Sequence, residues 1–550
     1  MENQTANSLK GKAMALLDAG KLPQALKKAQ LGIKKFPKDS DYQAIAGFVL
    51  TEMKQYKRSI PHFVEASRMK PDDPQFAENL ANALMQTGQV SKALSYAEQM
   101  AEKFPRNKEL ARVIEEIQRQ GKNWRSIIQY TTHKLETDPD NPKFLSKRAN
   151  AYGRIGFVDD NTRDVSRAYE LAPNNLGIAF QKAINLHQSG DKEGMLSILN
   201  DILDANPTHP SALFQLSTMV ETEKAAEFLE TLDAAIKENE AAAPDLEFAK
   251  AQVISKANGL NAALPQFAVA NAMQHETNPY NVDREEQKFQ QITSLFPVTA
   301  TQPSSGVIKK PVPIFVIGQP RSGTTLMEMM LSSDPQISGC GELILAADLS
   351  SDYRKGEKEY DDEAARDFAE DFRELMPPIP ADSTAFVDKM PHNYQRVGFL
   401  LSAFPNAKII NMLRDPRDVG LSKWIRRFPA GGMNYSSKLE TIAHSANMYR
   451  RYMAHWDAVF GDQILTVQYE DLVADPKTYS QQVAQFCGIE WTEVMMHPED
   501  NKKQVRTASI DQVRKKISTK SIGGWRDVAD HIQPMLDGFD PALWPEYDFS

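Results

Sequence analysis

Six prolines, Pro37, Pro71, Pro105, Pro139, Pro173 and Pro207, stand 34 residues apart. A period of that length confines the first half of the chain to a stack of like supersecondary units. Gly20, Gly88, Gly156 and Gly190 recur in one register, Lys54 and Lys122 fill its two remaining positions with Gly121 beside the second, and the small residues Ala25, Ser59 and Ala93 follow at a fixed offset. The physics of this spacing is a helical hairpin: an amphipathic helix, a tight turn where glycine tolerates positive φ, a second helix, and a proline that stops it. A lone hairpin cannot bury its apolar face, so stacked neighbours must supply the core.

The pattern resembles the tetratricopeptide repeat, and the resemblance implies a right-handed α-solenoid. Six repeats span about residues 6–210, and a looser seventh runs from Ser211 to near Pro244. The array is expected to offer a concave surface to a polypeptide or to the acceptor of a reaction; a packed spacer or an arm that forms a homodimer is the other use of such a stack. From 245 to 310 the period is lost, and Gln302-Pro-Ser-Ser-Gly-Val-Ile-Lys-Lys-Pro311 has linker composition. The expected division is therefore a repeat array at 1–244, an irregular helical linker at 245–310, and a second domain at 311–550.

A chain of 550 residues is too long for one hydrophobic core. Its 41% hydrophobic and 25% charged residues are those of a globular protein, and no apolar run approaches the roughly 20 residues of a membrane span. The first residues lack a charged-then-apolar leader, so the cytoplasm is the expected compartment. Cys340 and Cys487, the only cysteines, form neither a disulfide framework nor a metal cluster. A net charge of −9 argues against nucleic acid as the partner, although a local basic pocket is compatible with it.

From Pro311 short apolar runs alternate with amphipathic helices: Ile314–Ile317, Phe386–Val387, Ile409–Leu413 and Ile464–Val467 read as strands of a parallel α/β sheet. The first enters Gly318-Gln-Pro-Arg-Ser-Gly-Thr-Thr325 and then a helical stretch, the strand, loop, helix context of a phosphate cradle. Against the triphosphate-binding pattern G-x-x-x-x-G-K-[ST], this loop has Thr324 at the lysine position. Without that lysine a terminal γ-phosphate loses its main partner, while backbone N–H groups can still hold a 5′-phosphate and Arg321 offers charge to it.

Pro320-Arg-Ser-Gly-Thr-Thr-Leu326 resembles the 5′-phosphosulfate loop of sulfotransferases that use 3′-phosphoadenosine-5′-phosphosulfate (PAPS), in the variant of the tyrosylprotein sulfotransferases and of repeat-fused bacterial members. The resemblance assigns Arg321, Ser322, Gly323, Thr324 and Thr325 to the 5′ end of the donor. It assigns Arg414, Ser422 and Arg426, in Ile409-Ile-Asn-Met-Leu-Arg-Asp-Pro-Arg-Asp-Val-Gly-Leu-Ser422 and the turn beyond, to the 3′-phosphate. Tyr469 matches a residue near the adenine, and Ser509 and Lys520 lie in a stretch similar to the one that closes over the nucleotide. Lys389 matches a lysine that acts with Arg321 on the sulfuryl group. Glu342, in Gly339-Cys-Gly-Glu-Leu343, matches the base, and His392 is the alternative base, because related enzymes use histidine.

What this implies is a multidomain chain, an all-α repeat solenoid followed by an α/β P-loop-like parallel-sheet sulfotransferase domain. Its reaction moves a sulfuryl group from PAPS to an acceptor hydroxyl and leaves adenosine 3′,5′-bisphosphate, with no metal required. Protein tyrosine is the favoured acceptor; a saccharide or small molecule is the alternative. A magnesium-dependent nucleotide kinase using Asp415, and a non-catalytic repeat scaffold, are the readings from other classes.

Overall fold

The computed structural model describes residues 2–87, 89–104, 107, 110, 112–114, 124–306, 311–428, 433–501, 503–504 and 514–549. The chain divides into two compact units, Met1–Ala151 and Tyr152–Ser550. No helix among the described residues is long and apolar enough to cross a membrane.

In the first unit, helices Glu2–Asp18, Leu22–Lys35, Ser40–Glu52, Tyr56–Met69, Pro74–Gln86 and Val90–Lys103 follow one another as hairpins. The turn register behaves as its spacing demands. Gly20 has φ +69, and Lys54, in the same register, is forced to φ +57, a left-handed conformation that costs a non-glycine residue about 1–2 kcal/mol. Ala25, Ser59 and Ala93 are all fully buried, which explains their small size, since helices approach closest there. A further periodic feature stands two residues after each proline. Asp39 and Asp73 cap their helices by accepting from Asp41 N and Gln75 N, and Asn107 and Asn141 accept from Leu110 N and from Lys143 N and Phe144 N.

The second unit continues the repeats. Helices Val158–Leu171, Leu176–Ser189 and Lys192–Ala205 keep the cap at Asn175 and the glycine turns at Gly156 and Gly190, with φ +85 and +92. Helices Ala243–Asn258, Leu260–Thr277 and Val282–Leu295 occupy most of the expected linker, and the last two bring Leu264, Ile292 and Phe296 into the core beside the sheet.

That sheet has five strands, all paired in parallel: β1 (Val312–Gly318), β2 (Ile337–Gly339), β3 (Ala385–Lys389), β4 (Lys408–Leu413) and β5 (Ile464–Gln468), in the order β2-β3-β1-β4-β5. Alternate residues enter opposite cores, as the period of two requires. Phe315, Ile317, Phe386 and Ile409 face the larger, aromatic one, while Ile314, Val316, Val387 and Ile410 face the other. The register sets Val316 beside Lys389 and Gly318 beside Met412, so the carboxyl ends of β1, β3 and β4 lie together. This is the edge where ligands of open α/β sheets bind. Two short helices start there: α1 (Thr324–Leu331) after β1 and α2 (Pro416–Trp424) after β4.

Candidate active site

Backbone geometry makes the loop between β1 and α1 tight. Gly318 has φ +145, and a Cβ there would stand 2.5 Å from the Met412 carbonyl oxygen. Gly323, the N-cap of α1, has φ +99 and leaves no room for a Cβ beside the Tyr469 ring, 2.5 Å away. Arg321 holds φ +79, a strained value for a residue with a side chain, of the kind that clusters at functional loops.

The strain aims Arg321 across the sheet end. Its Nε donates to Ser422 Oγ on α2 at 2.9 Å, and its carbonyl accepts from Arg414 Nη1 at 3.1 Å. Arg414 Nη2 donates to the Ser521 carbonyl at 2.5 Å, its guanidinium lies 4.6 Å from the Tyr469 ring centre, and the Tyr469 hydroxyl pairs with Ser521 Oγ at 2.9 Å. Burial, then the neighbouring Arg426 and Arg414, push Arg321 down to about 9: three cations repel one another in a site that an anion would relieve. Two buried donors, Ser322 Oγ and Arg414 Nε, have no hydrogen-bond partner among the described residues. Thr324 and Thr325 are buried in the first turn of α1, where N–H groups point out of the helix. The donor set fits a multiply charged phosphate ester.

Around this site Asp415-Pro-Arg-Asp418 forms a frame. The Asp415 side chain caps α2 through Arg417 N and pairs with the Arg417 guanidinium, an arrangement that already employs the carboxylate a kinase would turn to magnesium. Arg417 lies between the Trp525 and Phe549 rings, 4.2 and 4.9 Å from their centres. Asp418 accepts from Gly523 N at 2.7 Å and Trp525 N at 3.2 Å. These bonds hold the C-terminal segment close to Arg414 and Tyr469. Ser509 lies outside the described residues. Lys520 is exposed, and its neighbour Ser521 makes the contacts.

At the end of β3, Lys389 is fully buried and its Nζ donates to Glu342 Oε1 at 2.5 Å. Glu342 keeps 37% of its side chain exposed, so it is the solvent-accessible member of the pair. The loop carrying it is fixed on both sides: Asp388 accepts from Leu343 N and Asn393 Nδ2, and Lys389 N donates to the Gly341 carbonyl. His392 turns elsewhere, toward the Tyr435 hydroxyl at 3.1 Å. Burial, then Arg396, Lys423 and Lys288, push it down to about 3, which makes it a weak proton acceptor at neutral pH.

Several residues at this site are not apparent from the motifs. Glu328 of α1 lies 3.8 Å from Lys389 Nζ, and Lys423, fully buried on α2, donates to the Gln319 side chain of the loop. A glutamate inside Leu326-Met-Glu-Met-Met-Leu331 and a lysine after Ser422 were the available signals: charges on faces that the period marks as buried.

Residues 313–493 match the model of the sulfotransferase family, and residues 50–117 match that of the tetratricopeptide repeat. An uncharacterized protein of Aquifex aeolicus is 24% identical over 91% of this chain and 74% of its own length. Protein-tyrosine sulfotransferase A of Caenorhabditis elegans is 28% identical over 42% of this chain and 68% of its own. Among solved structures, the sulfotransferase domain of the Synechococcus PCC 7002 olefin synthase has 22% identity and a TM-score of 0.33, covering 45% of this chain and 99% of that one. The chain thus joins a tetratricopeptide-repeat region to a C-terminal domain of the sulfotransferase family, distantly similar to the protein-tyrosine sulfotransferases.

Proposed function

We propose that the C-terminal domain transfers a sulfuryl group from PAPS to an acceptor hydroxyl, with protein tyrosine as the favoured acceptor and the repeat array recruiting the protein that carries it. The observation that supports this most is the pairing of a lysine-free loop with a second cation site, Arg321 donating to Ser422 and Arg414 donating to the Arg321 carbonyl. In this reading the loop Arg321–Thr325 holds the 5′-phosphosulfate, and Arg414, Ser422 and Arg426 hold the 3′-phosphate, with Tyr469 beside the adenine. The acceptor oxygen attacks sulfur in line, and the bond between sulfur and the 5′-phosphate oxygen breaks. The hydroxyl proton passes to the Glu342 carboxylate, and adenosine 3′,5′-bisphosphate leaves. Arg321 and Lys389 stabilise charge on the sulfuryl and bridging oxygens as it develops.

Incubation with radiolabelled PAPS and host extract tests this directly. Label is expected in protease-sensitive material, with Glu342→Gln lowering the rate at least about 100-fold, the low end for a lost general base, and His392→Asn leaving it within a few fold. Label in protease-resistant glycan would move the acceptor to a saccharide, and no label would refute the transferase.

A further inference from the structure

The proposed reaction uses Lys389 and Glu342 but leaves Glu328 without a task. Glu328 is 8% exposed, on the buried face of α1 one turn past the phosphate loop. Its two carboxylate oxygens face different partners. Oε1 accepts from Gly341 N at 2.9 Å, and Oε2 lies 3.8 Å from Lys389 Nζ. One side chain therefore touches both the loop that carries Glu342 and the ammonium that Glu342 pairs with.

Resting on the functional reading above, we propose that Glu328 is a positioning residue for sulfuryl transfer, the standing counter-charge of Lys389 and the anchor of the Glu342 loop. Lys389 is fully buried, and an ammonium without a counter-charge is costly there. Glu342 is its close partner, yet Glu342 must turn to the acceptor and becomes neutral when it takes the proton. Glu328 remains beside Lys389 throughout, and its bond to Gly341 N keeps the loop in register while Glu342 moves. The other charged groups around the pair have separate duties. Asp388, from β3, is held by Leu343 N and Asn393, and Lys503, from the C-terminal segment, donates to the Ile337 carbonyl. Burial raises the Glu328 carboxyl and Lys389 opposes that rise. Desolvation pushes the partly buried Cys340 thiol up, which keeps it neutral.

Glu328→Gln tests the charge, because it retains an oxygen for Gly341 N. Turnover is read as adenosine 3′,5′-bisphosphate released from PAPS with saturating host-extract acceptor. The variant is expected to keep its melting temperature and its affinity for adenosine 3′,5′-bisphosphate and to lose about 100-fold in kcat. Should Glu328→Gln fail to fold, Glu328→Asp, which keeps the charge but withdraws it from Lys389 and Gly341 N, takes its place and is expected to lose kcat while keeping nucleotide affinity. An unchanged kcat would overturn the role of Glu328 alone. Parallel loss of nucleotide affinity and melting temperature would reduce it to a structural residue. A wild-type chain that turns over no PAPS would overturn the functional reading, and this inference with it.

Discussion

Single residues carry more of the site than motifs do, and Lys423 shows how. It is fully buried, its Nζ donates to the Gln319 side chain of the loop after β1, and it lies 5.2 Å from the Tyr435 ring centre. Burial alone pushes it from the ordinary 10.5 down to about 7. The unfolded chain therefore binds one more proton than the native state between about pH 7 and 10.5, and stability contributed through this group rises with pH across that window. Below pH 7 both states are protonated and the burial cost is present in full. Urea unfolding of wild type and Lys423→Met at pH 7 and pH 9 should show the wild type gaining about 2 kcal/mol relative to the variant. Equal slopes would mean that Lys423 stays charged. Arg321, Lys389, Arg414 and Ser422 were legible because they sit in contiguous motifs at strand ends. Glu328, Lys423 and Ser521 were not, because their parts depend on contacts between segments far apart in the chain.

At the scale of elements, legibility followed periodicity. All four strands read from apolar runs are present. The fifth, Ile337–Gly339, escaped because three residues at a sheet edge leave no alternation to read. In the repeats, the glycine register was visible, but the helix caps two residues after each proline are a second period whose residue type drifts from Asp to Asn to His209. Both registers have measurable weight. Lys54→Gly removes a left-handed lysine at φ +57 and should stabilise the first unit by about 0.5–1 kcal/mol, the strain relieved less the extra freedom of glycine in the unfolded chain. Asn175→Ala removes the cap on Gly177 N and Ile178 N and should cost about 1 kcal/mol. Thermal unfolding of the two variants checks both signs; a destabilised Lys54→Gly would show that the lysine side chain outweighs its backbone strain.

Over the whole molecule, the later repeats serve the sheet domain as well as one another. Within the unit Tyr152–Ser550, the turn at Gly156 packs against Leu343 and the Cys340 carbonyl, beside the loop of Glu342, and the turn at Gly190 packs against Arg514. Arg514 donates to the Gln188 carbonyl at 2.9 Å, and Gln504 donates to Thr162 and Ser189. Positions 34 residues apart thus buttress two different segments of the sheet domain. No pattern within the repeats announces this, because it depends on residues about 180 to 340 positions later. The cations gathered at the carboxyl ends of β1 and β4 are the basis of the functional reading, and nucleotide binding without metal is its most direct test. Calorimetric titration of the full chain with adenosine 3′,5′-bisphosphate in a chelating buffer should give one site per chain. Arg414→Ala should weaken it by about 10- to 100-fold, the worth of a charge-assisted pair, and Glu342→Gln should leave it unchanged. Binding that appears only when magnesium is added, or that is indifferent to Arg414, would contradict the account.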